Sequence, residues 1–178
     1  METTRNAYIA KASDSEPVSR YVIIRLLHLL GIEPTFAVSN GTVMTEDNKK
    51  LVEQFINHAW GKGRYHLVRQ MIARDFLYHA CQSMSTNGIE LLIEEIDALR
   101  KALGDYDLII EDIVGEGDRV ISVMTLCGSF NRSVFGIAPN QKAIGITCAI
   151  TWQLQRGRVR HMNVIIDMAN IQRQLAAA

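Results

Sequence analysis

The chain has 178 residues, 48% hydrophobic and 21% charged, with 19 basic side chains balanced by 19 acidic ones. That length suits one domain with a sizeable core, and the neutrality argues against general affinity for nucleic acid or an anionic membrane surface. The cysteines Cys81, Cys127 and Cys148 are odd in number, lack CxxC spacing and sit among apolar residues, so they fit thiols in a reducing cytoplasm.

Residues 1–16 are polar and lack the basic start and apolar run of a signal peptide. Pro17 opens VSRYVIIRLLHLL over 18–30, which reads as a short apolar helix stopped by Gly31 and Pro34. Arg20, Arg25 and His28 interrupt it, and it falls short of the roughly 20 apolar residues that span a bilayer. It is expected to pack on the domain or on a partner chain. Gly, Pro, Ser and Asn mark 31–44 as a linker, so residues 1–43 are expected to form an extension ahead of a domain over 44–178.

Thr45-Glu46-Asp47-Asn48 is a helix start, and Leu51, Val52, Phe55, Ile56 and Ala59 recur at helical spacing to Trp60. Gly61 and Gly63 end that helix, and a second follows over 64–73. Phe76-Leu77-Tyr78-His79 has a strand pattern, and 80–88 is a loop closing on Asn87-Gly88. Leu92, Ile93, Ile96, Leu99 and Leu103 give an amphipathic helix over 89–103, with Gly104 as its stop. The period then becomes strand-like: 107–114, 119–130 with Gly128 as a candidate bulge, 142–154 and 159–166, with a short helix over 168–175. Helices followed by long strands joined by tight turns predict an α+β fold, with helices on one face of a curved, mostly antiparallel sheet.

The candidate chemistry gathers near the end of the chain. Asp167 is a single acid among Val164, Ile165, Ile166, Met168 and Ala169. Burial there would raise its pKa and suit it to proton transfer, whereas exposure would make it the cap of the helix that follows. By period-two alternation His161, Asn163 and Asp167 share one parity, and Gln153 and Gln155 share a face with Thr151. That arrangement reads either as a polar wall in a pocket or as the exposed or dimer-forming side of the sheet. His79 is either a pocket base or a strand-end histidine bonded to the backbone. Tyr78 is either a donor to a substrate oxygen or core, and Trp60 packs around the pocket mouth. The histidines show no HxxxH or HExxH spacing, and no G-x-G-x-x-G, P-loop or G-x-S-x-G is present. No metal, dinucleotide or other cofactor is therefore expected.

The order of elements and a series of marks resemble the SnoaL-like polyketide cyclase family of the nuclear transport factor 2-like superfamily. The marks are Asp75 with His79, Gly88, Gly104-Asp105, Gly117-Asp118-Arg119-Val120, the series Gly128, Gly136, Pro139 and Lys142, Gly157-Arg158-Val159 leading to Asp167, and the closing Gln174-Leu175. The resemblance covers about residues 46–175 and implies a cone-shaped α+β barrel, three helices packed on a strongly curved sheet, and dimers through the sheet. It also implies that Asp167 acts as general acid/base on an enolisable polyketide, inside an apolar pocket supplied by residues such as Phe55, Ile150, Trp152 and Ile165. Against the family's pattern, Gln153, His161, Asn163 and Phe130 stand where a basic residue, an acid, a tryptophan and a histidine are common.

The expectation is a cofactor-independent cyclase, isomerase or epoxide-opening hydrolase acting on a hydrophobic polyketide- or terpenoid-like metabolite. Asp167 and His79 are its catalytic residues, and Gln153, Asn163, His161, Tyr78, Trp60 and Phe55 bind the substrate. It is expected in the cytoplasm as a homodimer, with neither nucleic acid nor membrane as partner. The rival expectations are a non-catalytic small-molecule-binding module and a dimerisation module of the same fold.

Overall fold

The computed structural model describes residues 42–79, 86–134 and 136–176. The apolar helix expected over 18–30 lies outside those residues, as does Cys81. Helix α1 (Thr42–Ile56) runs into a widened π-helical turn, Asn57–Gly61, and helix α2 (Tyr65–Met71) follows. Strand β1 (Ile72–His79), the two-residue β2 (Thr86–Asn87) and helix α3 (Ile89–Ala102) come next. Strands β3 (Leu103–Glu116), β4 (Arg119–Phe130), β5 (Ala143–Gln155) and β6 (Arg158–Ile166) complete the sheet, and helix α4 (Met168–Ala176) closes the described chain.

The strands form one sheet in the order β2-β1-β6-β5-β4-β3, antiparallel except for the parallel pair β1–β6. Alternation decides which side chains meet the helices. Val120, Met124 and Leu126 of β4 join the core with Ile146, Cys148, Ile150 and Trp152 of β5 and Met162, Val164 and Ile166 of β6. Val52, Phe55, Ile56 and Ala59 of the first helical segment and Leu92, Ile96, Leu99 and Ala102 of α3 cover them. Trp152 anchors this layer. Its indole N–H donates to the buried Ser122 hydroxyl at 2.9 Å, and Phe55 meets its ring edge-on at 5.2 Å. Each contact is worth about 0.5–1.5 kcal/mol beyond area burial.

Three boundaries differ from the sequence reading, each because a long-range contact overrides local preference. The second helix ends at Met71 rather than 73, because Ile72 pairs with Val159 and Arg158 donates to the carbonyls of Gln70 at 2.8 Å and Ile72 at 3.2 Å. Gly104 lies inside β3 rather than ending a helix, since α3 passes directly into the pairing Leu103↔Phe130. The first helix widens at 57–61, where Arg100 of α3 donates to the carbonyls of Trp60 and Gly61.

The bulge expected at Gly128 falls on its neighbour strand: Gly104 pairs with Ser129 and Asp107 with Cys127, so β3 carries the extra residue, with Asp105 at φ 48°. Gly128 is the partner that lets the bulged strand approach. A Cβ there would stand 2.5 Å from the Gly104 carbonyl oxygen and 3.0 Å from Leu103 Cβ. Gly128→Ala should therefore cost about 1–3 kcal/mol by forcing the two strands apart. Urea denaturation checks this, and a variant as stable as the parent would contradict the close approach.

Candidate functional site

Seven of the eight residues expected to form the site divide between the two faces of the sheet, and Asp167 stands beyond the end of β6. Phe55, Trp60 and Tyr78 lie on the helix-covered face, where Phe55 is fully buried and Trp60 and Tyr78 are each 2% exposed. Phe55 lies between the two tryptophans, 6.3 Å from the Trp60 ring and 5.2 Å from that of Trp152. The Tyr78 hydroxyl donates to the carboxylate of Glu95 on α3, so a phenol and an acid meet at the edge of an apolar interior. Tyr106 adds a second phenol beside the interior. Tyr106 of β3 holds its hydroxyl buried with no hydrogen-bond partner among the described residues, and the Arg100 guanidinium lies 5.1 Å over its ring. Burial pushes the Tyr106 phenol well above its ordinary pKa, and Arg100 offsets only part of that rise.

Gln153, His161, Asn163 and His79 also come together, on the other face. His161 is the register partner of both Gln153 and Leu77, while Asn163 is the partner of both Thr151 and His79. The His79 and His161 rings meet edge-on at 4.7 Å. The expected neighbourhood is therefore present, but it faces away from the helices. Met162, Val164 and Ile166 take the buried side, so the alternation that groups His161 with Asn163 also turns both outward. Burial, and then the charges of His79 and Arg160, hold the His161 pKa below the ordinary imidazole value of 6.5. Its Nε2 is buried without a hydrogen-bond partner among the described residues.

Asp167 has the geometry of the helix cap that the sequence offered beside proton transfer. Its side chain is 56% exposed and stands 4.0 Å from the Arg173 guanidinium. Its carboxylate accepts from the Asn170 backbone N–H at 2.8 Å, and its carbonyl accepts from Ile171 N–H at 3.2 Å. These are the bonds of a helix N-cap, which the residue type favours wherever a helix follows at once.

The acid that does reach the interior, Glu95, was not singled out from the sequence, although a signal was there. It lies three residues after Leu92 and four before Leu99, within the apolar stripe of α3, where a carboxylate needs a partner. Arg100 likewise carried no motif, because its role depends on carbonyls freed some 40 residues earlier. Among the described residues no group of three or more histidine, cysteine, aspartate or glutamate side chains is placed to hold a metal ion. No helix among them is long and apolar enough to cross a membrane.

Two outcomes follow for these groups. Asp167→Ala should destabilise the fold by about 1 kcal/mol, while Asp167→Asn, which keeps a capping oxygen, should change stability by only a few tenths. Thermal denaturation of both variants checks the pair. His161 has a depressed folded pKa, so the unfolded chain binds more protons between that value and 6.5. Its contribution is complete above 6.5 and is lost as pH falls from 6.5 towards the folded value. His58 is shifted in the same direction. His161→Gln should flatten part of the acid-side loss measured by urea denaturation; an unchanged pH slope would refute it.

Residues 50–175 match the family model described as SnoaL-like polyketide cyclase. Among curated proteins, none matches the chain. Among solved structures, a candidate SnoaL-like polyketide cyclase from Jannaschia sp. CCS1 superposes with a TM-score of 0.67 at 19% identity, covering 81% of this chain and 99% of that one. IdmH from Streptomyces antibioticus, described as a candidate polyketide cyclase, gives 0.63 at 18% identity, over 73% of this chain and 99% of its own. AclR from Streptomyces galilaeus, described as a candidate hydroxylase, gives 0.62 at 16% identity, over 75% and 87%. The cone-shaped α+β fold expected from the sequence is thus the fold of this chain. With the match running from the first helix to the last, the chain belongs to the SnoaL-like polyketide cyclase family.

Proposed function

We propose that this chain is a cofactor-independent acid–base enzyme that cyclises, isomerises or hydrolytically opens a hydrophobic metabolite. The observation that carries the reading is the Tyr78–Glu95 pair, a phenol hydrogen-bonded to a carboxylate where the apolar interior meets α3. A carboxylate has lone pairs beyond the one engaged by Tyr78, so Glu95 can take a proton from an activated carbon or a water. Tyr78 fixes its orientation, and the surrounding apolar side chains limit water. In this reading the roles expected for His79 and Asp167 pass to Tyr78 and Glu95, Phe55 and Trp60 shape the apolar wall, and Asp167 serves the fold. A cytoplasmic homodimer belongs to the same proposal: Leu77, Ile109 and Ile165 are exposed, and on the outward face of the sheet Leu77 adjoins His161 in register.

One observation favours the rival reading of a binding or dimerisation module. Trp152, Tyr78, Phe55 and Phe130 are all essentially buried, and such large side chains leave less of the interior to a ligand. Both readings meet in one experiment. The protein is incubated in D2O with aromatic poly-β-ketone mimics and lipophilic epoxides, and products and deuterium uptake are read by mass spectrometry. Glu95→Gln should slow turnover about 10²-fold or more and Tyr78→Phe by less, within the usual range for a positioned acid or base. Full turnover by Glu95→Gln would remove the acid–base proposal. Ligands that bind and are recovered unchanged from parent and variants alike would support the binding module instead.

A further inference from the structure

A groove of about 440 Å³ lies outside the interior, between α1, α2 and the turn that joins β5 to β6. Helix α1 sends Phe55 and Ile56 into the core, whereas Leu51, Gln54 and His58 line the groove together with Leu67, Gln70 and Met71. Arg156, Gly157 and Arg158 of the hairpin complete the lining. Part of the lining is therefore apolar, from Leu51, Leu67 and Met71, and the hairpin adds two arginines. Among the described residues no carboxylate lines the groove. We propose that this groove binds a small amphipathic organic anion, a carboxylate or a phosphate ester on a short apolar body, with its charge between Arg156 and Arg158.

Three features distinguish this groove from a surface that merely carries solvated arginines. Arg158 is held in place: its Nη1 donates to the carbonyls of Gln70 and Ile72, which leaves the guanidinium's other N–H groups without a partner among the described residues. Arg156 has neither a hydrogen bond nor an ion pair among the described residues, although the chain has as many acids as bases. Its backbone is also strained. Arg156 at φ 51° and Gly157 at φ 70° are the two central residues of a tight hairpin turn, where Asn, Asp or Gly is preferred at the first position. An arginine in that conformation, directed to a groove with unpaired N–H groups, is the kind of local cost that functional sites retain. The charges around His58 agree: burial and then Arg64, Lys62 and His66 hold its pKa below 6.5, so the field beside the groove is positive. A planar carboxylate or a phosphate matches the guanidinium fork, and the methylene stem of such a ligand matches Leu51 and Met71.

The turn itself supplies the test. Arg156→Asn removes the charge while giving the turn a residue it prefers, so the variant should fold at least as stably as the parent. Met71 lines the groove and Met124 is fully buried in the interior, so their methyl signals in protein labelled at the methionine methyl carbon report the two places separately. The full chain is titrated with hexanoate, hexyl phosphate and hexan-1-ol. Saturable movement of the Met71 signal with at least one anion, about tenfold weaker with hexan-1-ol and about tenfold weaker in Arg156→Asn, is expected. Tighter hexanoate or tighter hexyl phosphate then identifies the head group. Equal response to hexan-1-ol, unchanged affinity in Arg156→Asn, or movement confined to Met124 would overturn the proposal. The last result would place the ligand in the interior and leave the acid–base reading of Glu95 untouched.

Discussion

The structure depends on which face of β5 holds Trp152. In a strand with a period of two, fixing one side chain fixes all the others, and Trp152 is fixed by more than its size. Its indole N–H needs an acceptor once buried, and Ser122, one strand away and itself fully buried, supplies it at 2.9 Å. A one-residue slip of β5 against β4 would break that bond and turn Gln153 inward without a partner. The pair thus ties the register Val120↔Trp152 and Ser122↔Ile150 to the burial of the largest side chain in the sheet.

Register then passes from strand to strand and decides what meets the helices. Trp152 inward places its partner Met162 inward, and Met162 in turn places Tyr78 inward. Tyr78 thereby reaches Glu95 on α3, while His79, one residue on, turns outward to His161. The phenol of Tyr78 and the imidazole of His79, adjacent in sequence, therefore cannot serve one pocket, however well their chemistry would combine. The parallel pairing of β1 with β6 matters as much. It draws the chain out of the second helix at Met71, and Arg158 stitches that crossing by bonding the carbonyls of Gln70 and Ile72.

Much of this was legible in the sequence, and the illegible part has a common cause. Strands β4, β5 and β6 and the closing helix were readable within a residue or so, because apolar periodicity and the turns at Gly117 and Gly157 are local signals. The starts of β1 and β3 were not, because each is set by a partner strand more than 20 residues away. The grouping of Gln153, His161 and Asn163 was readable, but its face was not. A polar row on a strand looks the same whether it lines a pocket or faces solvent, and only the placement of the helices separates the two. Glu95 was readable as an acid within the apolar stripe of a helix; its partner Tyr78 was not, since that contact spans a helix and a strand.

Asp167 shows how much a matching position leaves to its environment. An acid between a strand and a helix satisfies two different demands, a proton-transfer group or a cap, and the same residue type suits both. What separates them is desolvation. At Asp167 the carboxylate keeps its water and bonds the backbone of Asn170, so the helix uses the residue. At Glu95 the carboxylate is half-buried and accepts a hydrogen bond from a tyrosine that is 2% exposed. The chemistry is therefore sought where an acid lies beside the apolar interior and the fold gives it a hydrogen-bond donor that fixes its orientation.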